Sequence, residues 1–166
     1  LHAGGKFGGG GYKISGGLHG VGASVTNALA EELLVEVVPD PKAQGEKHEG
    51  KVYTQNYAYG EPKSKLVASS PKEQRPSGTT ITFRPDSGIF ETVNFDFDIE
   101  SGRLRQYAYL TKGVWFQLLD ERTGREVNYY FDGGIKSYVR HLNSGRAVLN
   151  QEPIYVDHEV EGDIIE

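Results

Sequence analysis

Apolar and polar positions recur along this chain at spacings that name its elements. Val21, Val25, Ala28 and Leu29 fall at i, i+4, i+7 and i+8, one face of a helix that we place over residues 21–32. LLVEVV follows at residues 33–38, an apolar, partly β-branched run stopped by Pro39, and predicts a buried strand. Residues 40–50 turn to Pro, Lys, Gln, Gly and Glu and read as a surface loop. In residues 51–59, Val52, Thr54, Asn56 and Ala58 alternate with Tyr53, Gln55, Tyr57 and Tyr59, a strand that touches solvent. A turn at residues 60–62, a short strand at 65–69 and a Pro-bearing loop at 70–77 lead into SGTTITFRP. There Ile81 and Phe83 share one face and Thr80 and Thr82 the other, so a strand enters through Gly78 and leaves at Pro85.

The second half is patterned differently. Residues 90–97 carry alternating aromatics that suit either a loop or an edge strand. From Asp98 a helix is predicted with Leu104, Tyr107 and Ala108 as its stripe and Gly113 just past its end. VWFQLLD at 114–120 and EVNYYF at 126–131 flank Arg122-Thr123-Gly124, a β-hairpin signal. Asp132 can cap a further helix whose face is Ile135, Tyr138, Val139 and Leu142, closed by Asn143-Ser144-Gly145. Short strands are expected at residues 153–156 and from about Val160. Hairpin-connected strands with three helices between them make an α+β two-layer sandwich, a mostly antiparallel sheet covered on one face by helices, and the regular βαβ alternation of a doubly wound fold is missing.

Composition narrows the class. A chain of 166 residues is one domain's worth, and the lack of cysteine removes disulfides and thiolate metal sites. No apolar run approaches a membrane span and no signal-peptide pattern opens the chain, so the expectation is a cytoplasmic protein with no membrane partner. Without an initiator methionine, and starting inside a loop, it reads as a fragment. Eighteen basic and twenty-three acidic residues, net −5, spread along most of the chain give a poor footprint for nucleic acid, so no direct DNA binding is expected of it.

The opening residues 1–27 are the exception. They hold ten glycines, and with His2 and His19 neutral their only charges are Lys6 and Lys13; the first acid is Glu31. Glycines let a backbone approach a bound group, and a run that ends at a helix start offers unpaired N–H groups and a positive dipole end to an anion. A disordered glycine linker is the alternative. Phe7, Tyr12, Ile14 and Leu18 argue against it, because a pure linker has no use for apolar anchors. A second phosphate-loop match, GEKHEGKV at residues 45–52, has Val52 where a Mg²⁺-holding Ser or Thr is required and leads into a strand pattern, so it reads as a hairpin turn.

HAGGKF at residues 2–7, Tyr12-Lys13, GGLHGVGASVTNAL at 16–29 and SGTT at 77–80 together resemble the B subunits of bacterial DNA gyrase and their close relative, the ParE subunit of topoisomerase IV. These are Bergerat-fold (GHKL) ATPases, in which ATP lies on a mixed sheet under a mobile lid. The resemblance implies a lid at residues 6–18 and a phosphate loop at 18–24, so that Gly17, Leu18, His19, Gly20, Val21, Gly22, Ala23 and Ser24 surround the phosphates. Lys6 and Lys13 would be phosphate-side cations, Tyr12 would contact the adenine and ribose end, and Thr79 would lie beneath the adenine. Each has a plainer reading: solvated loop charges for the lysines, packing or capping for His19, a lid anchor for Tyr12, an ordinary strand residue for Thr79.

The family's catalytic base, its Mg²⁺ ligand and its adenine-reading aspartate are expected upstream of Leu1, which leaves no catalytic residue and no metal ligand in this chain. Residues 1–158 would be a partial ATPase domain and 159–166 the start of the following transducer domain. ATP with Mg²⁺, the gyrase A protein, DNA and a second copy of the ATPase domain are the implied partners, and a nucleotide-gated clamp or chaperone module is the alternative. One departure stands out: Thr54 occupies a place where many gyrases carry an arginine at the pocket rim, which removes the basis for carrying over that arginine's contact with coumarin-type inhibitors.

Overall fold

The computed structural model describes residues 21–40, 42, 48–70, 73, 75–156, 158–160 and 163–165, the last two stretches in backbone only. The chain forms two compact units, Leu1–Asn94 and Phe95–Glu166.

The first unit is built on a sheet. Helix α1 (Gly22–Ala28) leads directly into β1 (Ala30–Val38), followed by β2 (Val52–Ala58), β3 (Glu61–Pro62), β4 (Val67–Ser69) and β5 (Gly78–Pro85). The strand order is β3-β2-β1-β5, with β4 also paired to β2. Every ladder is antiparallel. Register sets the faces: Leu33 lies opposite Tyr57 and Phe83, Val35 opposite Gln55 and Ile81, and Val37 opposite Tyr53 and Thr79. Alternation then puts these apolar and aromatic residues on one face and Glu32, Leu34, Glu36, Asn56, Thr82 and Arg84 on the other. Val52 opens a strand where a P-loop would open a helix, and residues 48–50 turn just before it, while residues 45–47 of the hairpin reading lie outside the described residues.

The helix predicted over residues 21–32 is shorter than its pattern. It stops at Ala28, where the Asn27 carbonyl that the Glu31 amide would need accepts from the Gly60 amide at 3.0 Å, and the chain pairs at once with its neighbours, the Leu29 carbonyl accepting from the Asp86 amide at 3.1 Å and the Ala30 carbonyl from the Tyr59 amide at 2.9 Å. Ala30 and Leu33 are buried by that pairing. The expected stripe is also not the buried one, since Val21 and Val25 are 44% and 48% exposed while Asn27 is 4% exposed. The turn expected at residues 60–62 is tighter and one residue earlier. Tyr59 and Gly60 take positive φ (53° and 83°), the two-residue geometry that suits the twist of a hairpin, and Glu61 and Pro62 already pair back on β2.

The second unit comprises α2 (Phe97–Leu110), the hairpin β6 (Phe116–Asp120) and β7 (Arg125–Tyr129), α3 (Ile135–Leu142), and a small antiparallel pair, β8 (His158–Val160) and β9 (Asp163–Ile165). Residues 90–96 form no strand, which resolves that ambiguity as a loop. Asp96 caps α2, its carboxylate accepting from the amides of Asp98 and Ile99 at 2.9 and 3.0 Å, so the helix begins one residue before the predicted Asp98. Ala108 is buried as expected, but Tyr107 is 51% exposed and Tyr109 takes its place. Tyr109 is drawn inward by aromatic stacking on Phe131, ring centroids 3.8 Å apart, with Tyr138 at 5.0 Å and His141 at 5.6 Å.

Asp132 does not cap α3. Gly134 stands at the N-cap with φ 53°, and a Cβ there would meet Lys112 Cβ at 3.4 Å and the Tyr109 carbonyl at 3.6 Å, so the end of α2 lies against a position that favours glycine. The strand expected at 153–156 is also missing. Those residues run beside α3 instead, with Lys136 over the Tyr155 ring at 3.9 Å and Arg140 paired to Glu152; the strand pairing starts at His158. The α+β class holds, with antiparallel strands and helices alternating in hairpin-connected units.

Candidate nucleotide-binding site

Of the residues singled out from the sequence, Lys6, Tyr12, Lys13, Gly17, Leu18, His19 and Gly20 lie outside the described residues. Val21, Gly22, Ala23 and Ser24 fall together as the first turn of α1. Val21 is the N-cap; its carbonyl accepts from the Val25 amide at 2.9 Å and its side chain makes no cap hydrogen bond. The first three amides of a helix have no carbonyl within the helix to bond, and they carry the positive end of its dipole. No acidic residue stands in this turn to occupy them. Gly22 and Ala23 are exposed, and a Cβ on Gly22 would meet nothing within 4 Å. The arrangement is an open, acid-free helix start, whose chemistry fits an anion.

Thr79 is held differently. It is an exposed residue of β5 opposite Val37, six residues before Pro85, which pairs with Ala30 immediately after α1. It shares the sheet face of Ile81 and Phe83. Thr54, in β2, is half-buried between Glu36 and Val67 on the neighbouring strands. A cleft of about 600 Å³ opens on the sheet beside Leu34, Asn56, Thr82 and Arg84, and none of the predicted site residues lines it. No group of three or more His, Asp or Glu placed to hold a metal occurs among the described residues. None of their helices is long and apolar enough to cross a membrane.

Asn27 and Gly60 have no place among the residues expected from the sequence, yet these hold α1 on the hairpin. The Gly60 amide donates to the Asn27 carbonyl at 3.0 Å, and Asn27 Nδ2 donates to the Gly60 carbonyl at 3.4 Å. In the sequence nothing sets Asn27 apart from its polar neighbours Ser24 and Thr26.

The carboxylates that follow the helix are compensated. Arg84 reaches Glu31 at 3.0 Å and Glu32 at 3.2 Å, and Arg75 reaches Glu36 at 2.9 Å. In the second unit Arg122 grips Asp120 at 2.9 Å and holds that carboxyl down at a pKa of about 2, while its other nitrogen donates to the Phe95 carbonyl at 2.8 Å. Arg125 likewise keeps the Asp98 carboxyl below its usual range. These are hairpin and helix-cap contacts, and none of them includes a predicted site residue.

No family model matches the chain. It is 45% identical over 161 residues to the DNA gyrase B protein of Clostridium acetobutylicum, an alignment that covers 97% of this chain and 24% of that protein. It is 47% identical over 162 residues to the DNA topoisomerase 4 B protein of Staphylococcus epidermidis, covering 95% of this chain and 23% of that one. The chain thus spans about a quarter of the length of the curated relatives it matches. Among solved structures, the 43K ATPase domain of Thermus thermophilus gyrase B in complex with an aminocoumarin superposes with a TM-score of 0.70 at 33% identity, covering 85% of this chain and 36% of that one. Over nearly its whole length this chain is similar to about a quarter of the DNA gyrase and topoisomerase 4 B proteins, and its fold is like that of the Thermus thermophilus gyrase B ATPase domain.

Proposed function

We propose that residues 1–158 form part of the ATP-binding domain of a gyrase-type B protein, with residues 159–166 opening the next domain. The observation that carries the proposal is the start of α1, an acid-free turn at the point where GGLHGVGAS leads into the helix, exposed at Val21, Gly22 and Ala23 and half-buried at Ser24. On this reading the backbone there and Lys6 and Lys13 hold the phosphates, Tyr12 and Thr79 serve the nucleoside end, and His19 lies beside the phosphate turn. Catalysis by such a protein works through position and charge: donors fixed around the phosphates, a base that orients water, and a cation that neutralises developing charge. Mg²⁺ supplies the last of these when bound. Its ligand and the catalytic base are proposed to lie outside this chain.

In the full-length cytoplasmic protein, ATP would close two copies into a dimer, and its hydrolysis would be coupled to DNA strand passage with an A-type partner protein. The 166-residue polypeptide alone is expected to turn over no ATP. The comparable identity to a topoisomerase 4 B protein supports a second reading within the same reaction class. Reconstitution of the full-length protein with its A-type partner separates them. ATP-dependent negative supercoiling supports gyrase, and ATP-dependent decatenation without supercoiling supports topoisomerase IV. Steady turnover by the isolated chain would overturn the assignment of base and metal ligand elsewhere, and failure of the full-length protein to bind ATP would overturn the whole reading.

A further inference from the structure

We propose that Asn27 is a positioning residue for the nucleotide phosphates, acting through the clasp it forms with Gly60. The inference rests on the ATP-binding reading above. Asn27 is the buried polar residue among the described side chains, at 4% exposure. Gly60 donates its amide to the Asn27 carbonyl and accepts from Asn27 Nδ2, so one residue of α1 meets both backbone groups of one residue of the hairpin turn. Beside this, the Tyr59 amide donates to the Ala30 carbonyl at 2.9 Å. The φ of 83° at Gly60 favours glycine, and a Cβ there would lie in ordinary contact with α1, 3.5 Å from Ala28 Cα. Three hydrogen bonds therefore tie the last turn of α1 and the first residue of β1 to the Tyr59–Gly60 turn.

The clasp is an expensive way to fill space. Asn27 Oδ1 is buried without a hydrogen-bond partner among the described residues. A buried acceptor left unpaired opposes folding, and an apolar side chain of similar shape avoids that cost. What the amide adds is direction, because a hydrogen bond to Gly60 fixes the rotation and depth of α1 in a way that apolar contact does not. Under about two turns of rigid helix separate this anchor from Val21, Gly22, Ala23 and Ser24, so a small rotation at Asn27 is transmitted to the amides that face the phosphates.

The test is steady-state ATPase kinetics of the full-length protein carrying Asn27→Leu or Asn27→Ala, with the thermal midpoint measured without nucleotide. Leu replaces the under-satisfied amide by an apolar group of similar size and keeps the fold even where Ala does not. The expected result for Asn27→Leu is a midpoint at or above that of the parent, KM for ATP raised at least about fivefold and kcat within about twofold, the pattern of phosphate binding lost equally in the ground and transition states. An unchanged KM in folded Asn27→Leu overturns the inference, as does a fall in kcat with KM unchanged. A parent protein that binds no ATP overturns the function itself, which is a separate and recognisable failure.

Discussion

Gly22→Asp separates the electrostatics of the proposed site from its stability. Gly22 is the first residue of α1 and is exposed, and a Cβ there would meet nothing within 4 Å, so the new side chain has room. In the first turn of a helix a carboxylate interacts favourably with the dipole by about 0.3–1 kcal/mol. Leaving glycine removes a further few tenths of a kcal/mol of helix penalty, since Asp stands roughly 0.3 kcal/mol better on propensity scales. The fold is therefore expected to hold or gain slightly. The same carboxylate near a phosphate oxygen opposes binding: unit charges at about 4 Å cost about 1 kcal/mol at the dielectric of water and about 4 at an effective value of 20. Even at roughly 1.4 kcal/mol the loss is about tenfold in affinity. Titration of the full-length protein with a non-hydrolysable ATP analogue should show at least that loss, with the nucleotide-free thermal midpoint unchanged or raised. Gly22→Ala, neutral and equally roomy, should bind within about threefold of the parent, as expected for a small change at an open helix N-terminus. A folded Gly22→Asp protein of undiminished affinity would refute the placement of phosphates at α1.

Other outcomes follow from the second unit. Tyr109→Ala removes a 4% exposed ring stacked on Phe131 and should cost about 3–5 kcal/mol in urea unfolding, whereas Tyr109→Phe, which keeps the ring, should cost under about 1.5. Asp96→Ala deletes the carboxylate that accepts from the Asp98 and Ile99 amides and should cost about 1 kcal/mol, read by the same assay. Asp120 has its pKa depressed to about 2 by Arg122, so its contribution is present above the unfolded value near 4 and lost as pH falls through about 2. Asp120→Asn should flatten that part of the acid unfolding profile, and an unchanged profile would count against the grip of Arg122.

Part of the fold could be read from local pattern because the β2–β3 and β6–β7 turns are short and each strand alternates within itself. The Ile81/Phe83 alternation and the RTG turn were visible within a few residues of themselves. What could not be read was decided across the sheet. Residues 29–32 look helical taken alone, but their carbonyls are claimed by Asp86 and Tyr59, partners 57 and 29 positions further along the chain. Tyr107 and Tyr109 differ little as sequence. Which of them turns inward depends on where Phe131 stands, and no helical period specifies that. Asp132 is an ordinary capping residue placed too early, because the positive φ of Gly134 sets the start of α3.

The same division runs through the candidate site. A glycine run that meets a helix marks Val21, Gly22, Ala23 and Ser24 as the helix start, and they are its N-cap and first turn. Asn27 was invisible because its partner lies 33 residues away in a turn of unusual hand. The charges around the helix follow a similar logic. Ion pairs as exposed as those of Arg84 and Arg75 contribute roughly 0–1 kcal/mol each to folding, too little to explain their placement by stability. Their effect on the field is larger in consequence. Glu31, Glu32 and Glu36 stand on the strand that leaves α1, and without their arginines they would set three negative charges on the sheet next to the proposed phosphate site. On the proposed reading, in which α1 faces phosphates, the arginines of β5 and of the loop before it compensate two of these three charges in a chain whose net charge is −5.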